Sequence, residues 1–178
     1  MSYARSIALG AAVATVLAVG GCSTAAPKPV ADSTADVREV YDRWAKAFKA
    51  KDIDSIMALY APGDALLAYD LVAPLQYRGK DAYKKDYEEF LGQYSSPLEV
   101  EYRDLRVVAG NDVAFLYALE RIGGTLKSGQ RSDLWVRATS GLRKIDGKWL
   151  IVHDHISVPA DLATGKALLE LKPAGGSS

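Results

Sequence analysis

Apolar positions recur at helical spacing where the folded part of the chain begins. Val37, Val40, Tyr41, Trp44, Ala45 and Phe48 share one face, behind a Ser33-x-x-Asp36 capping pattern. Lys51-Asp52 interrupts, and Asp52 can cap a second short helix with Ile53, Ile56, Met57 and Tyr60 turned inward. Pro62-Gly63 ends it. A short strand is expected over Ala65–Leu71, then a loop containing Pro74 and Gly79. A third helix is expected from about Lys80 to Tyr94, burying Tyr83, Tyr87, Phe90 and Leu91.

Beyond Ser95-Ser96-Pro97 the spacing changes to that of strands. Leu98–Val108, Val113–Ile122, Gln130–Arg143 and Lys148–Val158 are each bounded by turn residues: Gly110-Asn111-Asp112, Gly123-Gly124 and Asp146-Gly147. Helices followed by an antiparallel meander predict an α+β fold with helices on one face of the sheet. Gly141, inside a strand, marks a bend or bulge. A short C-terminal helix is expected around Lys166–Leu171, and Pro173–Ser178 reads as disordered.

The N-terminus has a different character. Arg5 precedes an apolar run from Ile7 to Val19, of signal-peptide length and short for a membrane span. The run ends in Val-Gly-Gly-Cys, with Cys22 the only cysteine, so no internal disulfide can form. Small residues before a cysteine resemble the lipobox of bacterial lipoproteins. That resemblance implies a signal peptide over 1–21, lipid on Cys22 and an exported, membrane-anchored location in the cell envelope. Residues 22–33 are small, polar and Pro-containing, as in a flexible tether. The folded domain is expected over 34–160, with 161–178 as a tail.

Charge narrows the partners. Lys+Arg and Asp+Glu are both 22, giving a formal net charge of zero, so nothing points to nucleic acid. No glycine-rich phosphate loop stands between a strand and a helix, and no cofactor is implied.

The order of elements, together with ALYAPGDALL, YDLVAPLQYRG and RKIDGKWLIVHDHISVP, resembles the SnoaL-like, ketosteroid-isomerase-like branch of the nuclear transport factor 2-like superfamily. The Trp-x-x-Val-His-x-His-x-Ser ending is also similar to the association domain of calcium/calmodulin-dependent protein kinase II. The resemblance covers Asp36 to Pro159. It implies a cone: a strongly curved sheet around helices, with a central pocket and often a homodimer through the convex sheet face. The family includes isomerases, cyclases, dehydratases and assembly modules, so the fold does not settle a reaction.

Both histidines lie in the last strand. Alternation puts Trp149, Ile151, His153, His155 and Ser157 on one face. A two-residue Asp146-Gly147 turn would pair Ser140 with His153. A three-residue Ile145-Asp146-Gly147 turn would pair Thr139 with His153 and Arg137 with His155, and it separates polar from apolar positions more cleanly. The polar face is then expected to line the pocket. Three chemistries remain open. A metal site would need a carboxylate such as Asp70 beside the two histidines, and nothing else marks a ligand set. Acid–base catalysis would use Asp70 as base, with Tyr41, Tyr69, Tyr77, Tyr117 or His153 as donor. In the third, a small apolar or amphiphilic molecule binds without reaction, held by Trp44, Tyr60, Tyr77, Tyr117, Arg137 and His155. The pocket arginines of the kinase association domain fall on Tyr117 and Ser140 here, so that anion site does not carry over. The bland alternative is that Asp70 caps a turn and the histidines and tyrosines are structural.

Overall fold

The computed structural model describes residues 33–174. Helix α1, Thr34–Ala50, buries the expected stripe from Val37 to Phe48. Its aromatic members sit one turn apart and stack: ring centroids are 5.6 Å apart for Tyr41–Trp44 and 4.6 Å for Trp44–Phe48. Lys51, left-handed at φ 58°, closes the helix with its N–H on the Ala47 and Phe48 carbonyls. Helix α2, Ile53–Met57, is capped by Asp52, whose side chain accepts from the Ser55 N–H. Ser33 makes no side-chain cap to α1, contrary to the capping pattern.

Strands β1, Leu67–Tyr69, and β2, Tyr77–Arg78, precede helix α3, Lys80–Gly92. Strands β3, Glu99–Ala109, β4, Val113–Thr125, β5, Arg131–Ile145, and β6, Lys148–Ser157, form the expected meander. The six-stranded sheet has the order β2-β1-β6-β5-β4-β3. Its one parallel pairing is β1 with β6, Leu67 opposite His153 and Tyr69 opposite His155. The pairing is irregular between Arg103 and Arg106 on β3 and between Gly141 and Leu142 on β5. Such bulges bend long strands, and here the sheet curls around the helices.

Two further expectations fail. The segment expected to be a C-terminal helix is instead a small hairpin, β7, Ala160–Asp161, with β8, Lys166–Ala167, turning at Gly165, φ 70°. Asp161 holds that turn by accepting from the Ala163 N–H and the Thr164 hydroxyl, which local helix propensity does not outweigh. The β5–β6 hairpin has a two-residue Asp146-Gly147 turn, with both residues at positive φ, 49° and 77°, and Ile145 opposite Lys148. The register then slips by one residue, so Leu142 faces Ile151 but Gly141 faces His153. Val152 is the extra residue. Thr139 therefore pairs with His155 and Arg137 with Ser157. Neither simple turn length predicts this pairing, because turn and bulge act together.

Candidate active site

The bulge decides which side chains enter the cone. Up to Ile151 the odd positions of β6 are buried; after Val152 the even position Asp154 takes their place. Asp154 lies opposite Ser140 on β5 and beside Ala68 on β1, all three buried. The histidines face the other way. His153 is half-buried, with Nδ1 2.8 Å from the Leu67 carbonyl oxygen, and ties β6 to β1. His155 is exposed. Tyr69 stands edge-on to both imidazoles, at centroid distances of 5.0 and 5.7 Å.

The expected polar pocket wall is therefore corrected. Thr139, Arg137, His155 and Ser157 do share one face, but it is the outer one. Tyr117, opposite Thr139 and 44% exposed, lies there too. Tyr117, Arg137 and His155 do not line the interior.

Inside the cone, a chain of hydrogen bonds crosses four elements and the segment after α2. The Trp44 indole N–H donates to the Tyr87 hydroxyl at 2.9 Å, and the Tyr87 and Tyr60 hydroxyls are 2.7 Å apart. Tyr60 donates to Asp154 Oδ2 at 2.5 Å, and the Ser140 hydroxyl donates to Asp154 Oδ1. With the Tyr60 proton on Asp154, Tyr87 must be the donor to Tyr60. Every proton in the chain then points toward one buried carboxylate. Burial still pushes Asp154 up to about 6, against the two hydrogen bonds that favour its ionised form. A second acid, Glu120 on β4, accepts from Tyr41 at 3.0 Å. Burial raises it to about 8, and repulsion from Asp154 and Asp70 adds to the shift.

Asp70 occupies the rim. It follows Tyr69, which faces outward, and so falls on the inner side with Ala68. Oδ1 accepts from the Leu71 N–H at 2.6 Å and Oδ2 from the Tyr83 hydroxyl at 3.1 Å. Its carboxyl is raised above the usual range, chiefly by burial and against those two bonds. Tyr83 packs edge-on to Tyr60 and Tyr87, at 5.6 and 4.9 Å, and so joins the rim to the interior chain. Tyr77 flanks it: its ring is 5.6 Å from Tyr83, and its one hydroxyl proton is shared between Asp86 Oδ1 at 2.8 Å and the Ala73 carbonyl at 2.9 Å. Burial holds the Asp86 carboxyl up to about 6.

Of the residues singled out from sequence, Asp70, Tyr77, Tyr60 and Trp44 are brought together around Tyr83 and Tyr87. Trp44 and Tyr60 are core residues whose polar atoms are already bonded. Sequence reasoning missed Asp154, Ser140 and Glu120. The signal was present: a carboxylate between two histidines in an apolar run, and another in Ala114–Ile122. A half-buried base bonded to a tyrosine hydroxyl can take up a proton, and the released hydroxyl can meet the oxyanion that results.

The comparisons agree with this architecture. The model of the SnoaL-like domain matches residues 37–161. An NTF2-like protein of unknown function from Pseudomonas putida KT2440 is 36% identical, with a TM-score of 0.71, over 79% of this chain and 96% of that one. A nuclear transport factor 2-like superfamily protein from Salmonella enterica serovar Typhimurium LT2 shares the fold at 17% identity and a TM-score of 0.66, covering 76% of this chain and 96% of that one. A ketosteroid isomerase-like protein from Erwinia carotovora atroseptica does so at 21% identity and a TM-score of 0.61, covering 71% and 96%. No curated protein matches the chain. Curved sheet, enclosed helices and the match across the whole folded region lead to one assignment: the chain belongs to the SnoaL-like domain family, on the NTF2-like fold.

Proposed function

We propose that the domain takes a small, mostly apolar molecule at the mouth of the cone and transfers a proton on it, with Asp70 as base. The observation that carries this reading is the Asp70 carboxylate itself: half-buried, raised by burial, and held by Tyr83 next to an apolar, tyrosine-rich interior. A base of raised pKa accepts a proton from an acidic C–H more readily. The Tyr83 hydroxyl, which donates to Asp70 in the resting site, is the donor that can turn to the oxyanion once Asp70 holds the proton. The reaction class is isomerisation or dehydration, in line with the ketosteroid isomerase-like structural relative. Asp70→Asn keeps the shape and one of the two acceptor oxygens but loses the base. It should lower turnover of a β,γ-unsaturated ketone at least about 100-fold while changing ligand affinity by less than about threefold. Turnover equal to wild type would remove Asp70 from the mechanism.

Two features of the reading concern place and assembly. The chain is exported and held in the cell envelope by lipid on Cys22, a reading supported by the apolar run and the small residues before that cysteine. It forms a homodimer through the outer sheet face, supported by the exposed Phe115 and Tyr117, whose rings stack at 6.2 Å. If the dimer alone were the function, Asp70→Asn would be silent, and changes on the outer face would carry the effect.

A further inference from the structure

Strand β3 ends the sheet order β2-β1-β6-β5-β4-β3, so one of its sides has no neighbouring strand. The β3–β4 hairpin decides which backbone groups lie there. The Gly110 N–H donates to the Val113 carbonyl, so along β4 the odd positions bond to β3. Leu119, Arg121 and Gly123 therefore bond to Arg103, Glu101 and Glu99, and the residues between, Val100 and Tyr102, turn N–H and C=O to the free edge. Leu98 continues the alternation: its N–H also points away from β4 and donates to the Lys49 carbonyl at the end of α1. No other element satisfies the Val100 and Tyr102 backbone groups among the described residues.

A groove of about 620 Å³ runs beside these groups, between α1 and β3. Ala45, Ala50, Val100 and Tyr102 form its floor, and Asp42, Lys46 and Lys49 its rim on α1. Asp42 is engaged by Arg38 at 3.1 Å. Lys46 and Lys49 are exposed and pair with no carboxylate among the described residues. The buried Tyr102 hydroxyl also has no hydrogen-bond partner among them. The usable edge is short. Leu98 is taken by α1, and beyond Arg103 the bulge, with Asp104 at φ 55°, bends the strand away. That leaves Glu99–Arg103, an open strand edge under two uncompensated positive charges.

We infer that this groove is a docking site for an acidic peptide in extended conformation. The peptide adds a strand to β3 over Glu99–Arg103 and bonds to the N–H and C=O groups of Val100 and Tyr102. Alternation turns every second side chain of the added strand toward α1. A glutamate there lays its methylenes over Ala45 and Val100 and brings its carboxylate to Lys46 and Lys49. A basic strand would find the same backbone groups but meet like charges, so charge selects the occupant. Asp70 follows β1, far along the sheet order from β3, and the site does not depend on the function proposed above.

The test follows backbone amide resonances of the full chain during titration with a capped heptapeptide of alternating threonine and glutamate. The Val100 and Tyr102 amides should shift, and their hydrogen exchange should slow at least about tenfold at saturation. Val107 and Ala109, beyond the bulge, should stay as they were. The same peptide with lysine in place of glutamate should bind at least about tenfold more weakly. The double change Lys46→Glu with Lys49→Glu should reverse that preference, with an unchanged melting temperature showing that the fold is kept. If the double variant does not fold, the two peptides on the wild-type chain still decide. Equal binding of both peptides, or no shift at Val100 and Tyr102 up to about 1 mM peptide, overturns the proposal and leaves the lysines as guards of a bare edge. Shifts at Val100 and Tyr102 that grow with protein concentration, without peptide, would assign the edge to a second copy and overturn it too.

Discussion

Asp154 lies between the two histidines in sequence and on the opposite side of the sheet from His155 in space. Alternation alone separates the two; the extra residue Val152 decides that Asp154, and not His155, is the one turned inward. Once inside, the carboxylate needs donors, and Tyr60 and Ser140 supply them. Tyr60→Phe removes one donor and leaves Tyr87 without its acceptor. The change should cost about 1–3 kcal/mol in urea unfolding, as for a buried polar group that loses a partner. It should also raise the Asp154 titration above about 6, because the lost bond favours the ionised form. Carboxyl carbon chemical shifts against pH would follow that titration directly. A downward movement would mean that Tyr60 does not stabilise the carboxylate.

At the level of elements, the helical stripe of α1 and the four strands of the meander were legible because each has a strong period and clear turn residues. The pairing of β5 with β6 was not. Turn chemistry suggested two registers, and the bulge produced a third. Gly141 signalled irregularity at the right level, but the extra residue lies across from it, on β6, where no glycine marks it. The parallel β1–β6 pairing also lay beyond reach, because a three-residue strand carries too little pattern to choose its neighbour. The candidate site was half legible for the same reason: Asp70 and Tyr77 sit on short local elements, whereas Asp154 depended on a register. That register also puts Tyr117 on the outer face, between Arg106 on β3 and Thr139 on β5. If this face joins two copies, Tyr117→Glu places a charge in the contact. Sedimentation velocity should then show a monomer where wild type shows a dimer, with the melting temperature lowered. An unchanged dimer would place the interface elsewhere on the molecule.

Across the whole molecule, the sheet and helices enclose Asp154 and Glu120, with Asp70 at the rim; Asp70 raises the pKa of both interior acids, and Asp154 raises that of Glu120. No ion pair of the described residues includes any of the three. Folding therefore holds protons that the unfolded chain would release. For Glu120, the unfolded group titrates near its ordinary 4.5 and the folded group near about 8. Below 4.5 both states are protonated, and the stabilising contribution is fully present. Between 4.5 and about 8 the unfolded chain loses its proton while the folded chain keeps it, so stability falls with rising pH. Above that range both are ionised and the contribution is flat. At 1.36 kcal/mol per unit the loss amounts to at most roughly 4–5 kcal/mol. Asp154 adds a smaller loss between its ordinary 3.8 and about 6. Glu120→Gln keeps an acceptor for Tyr41 and removes the titration. Urea unfolding at several pH values should show the variant gaining on wild type from pH 5 upward and levelling off near pH 8, with the residual slope below pH 6 belonging to Asp154. Parallel curves for the two proteins would mean that Glu120 is already ionised in the folded state.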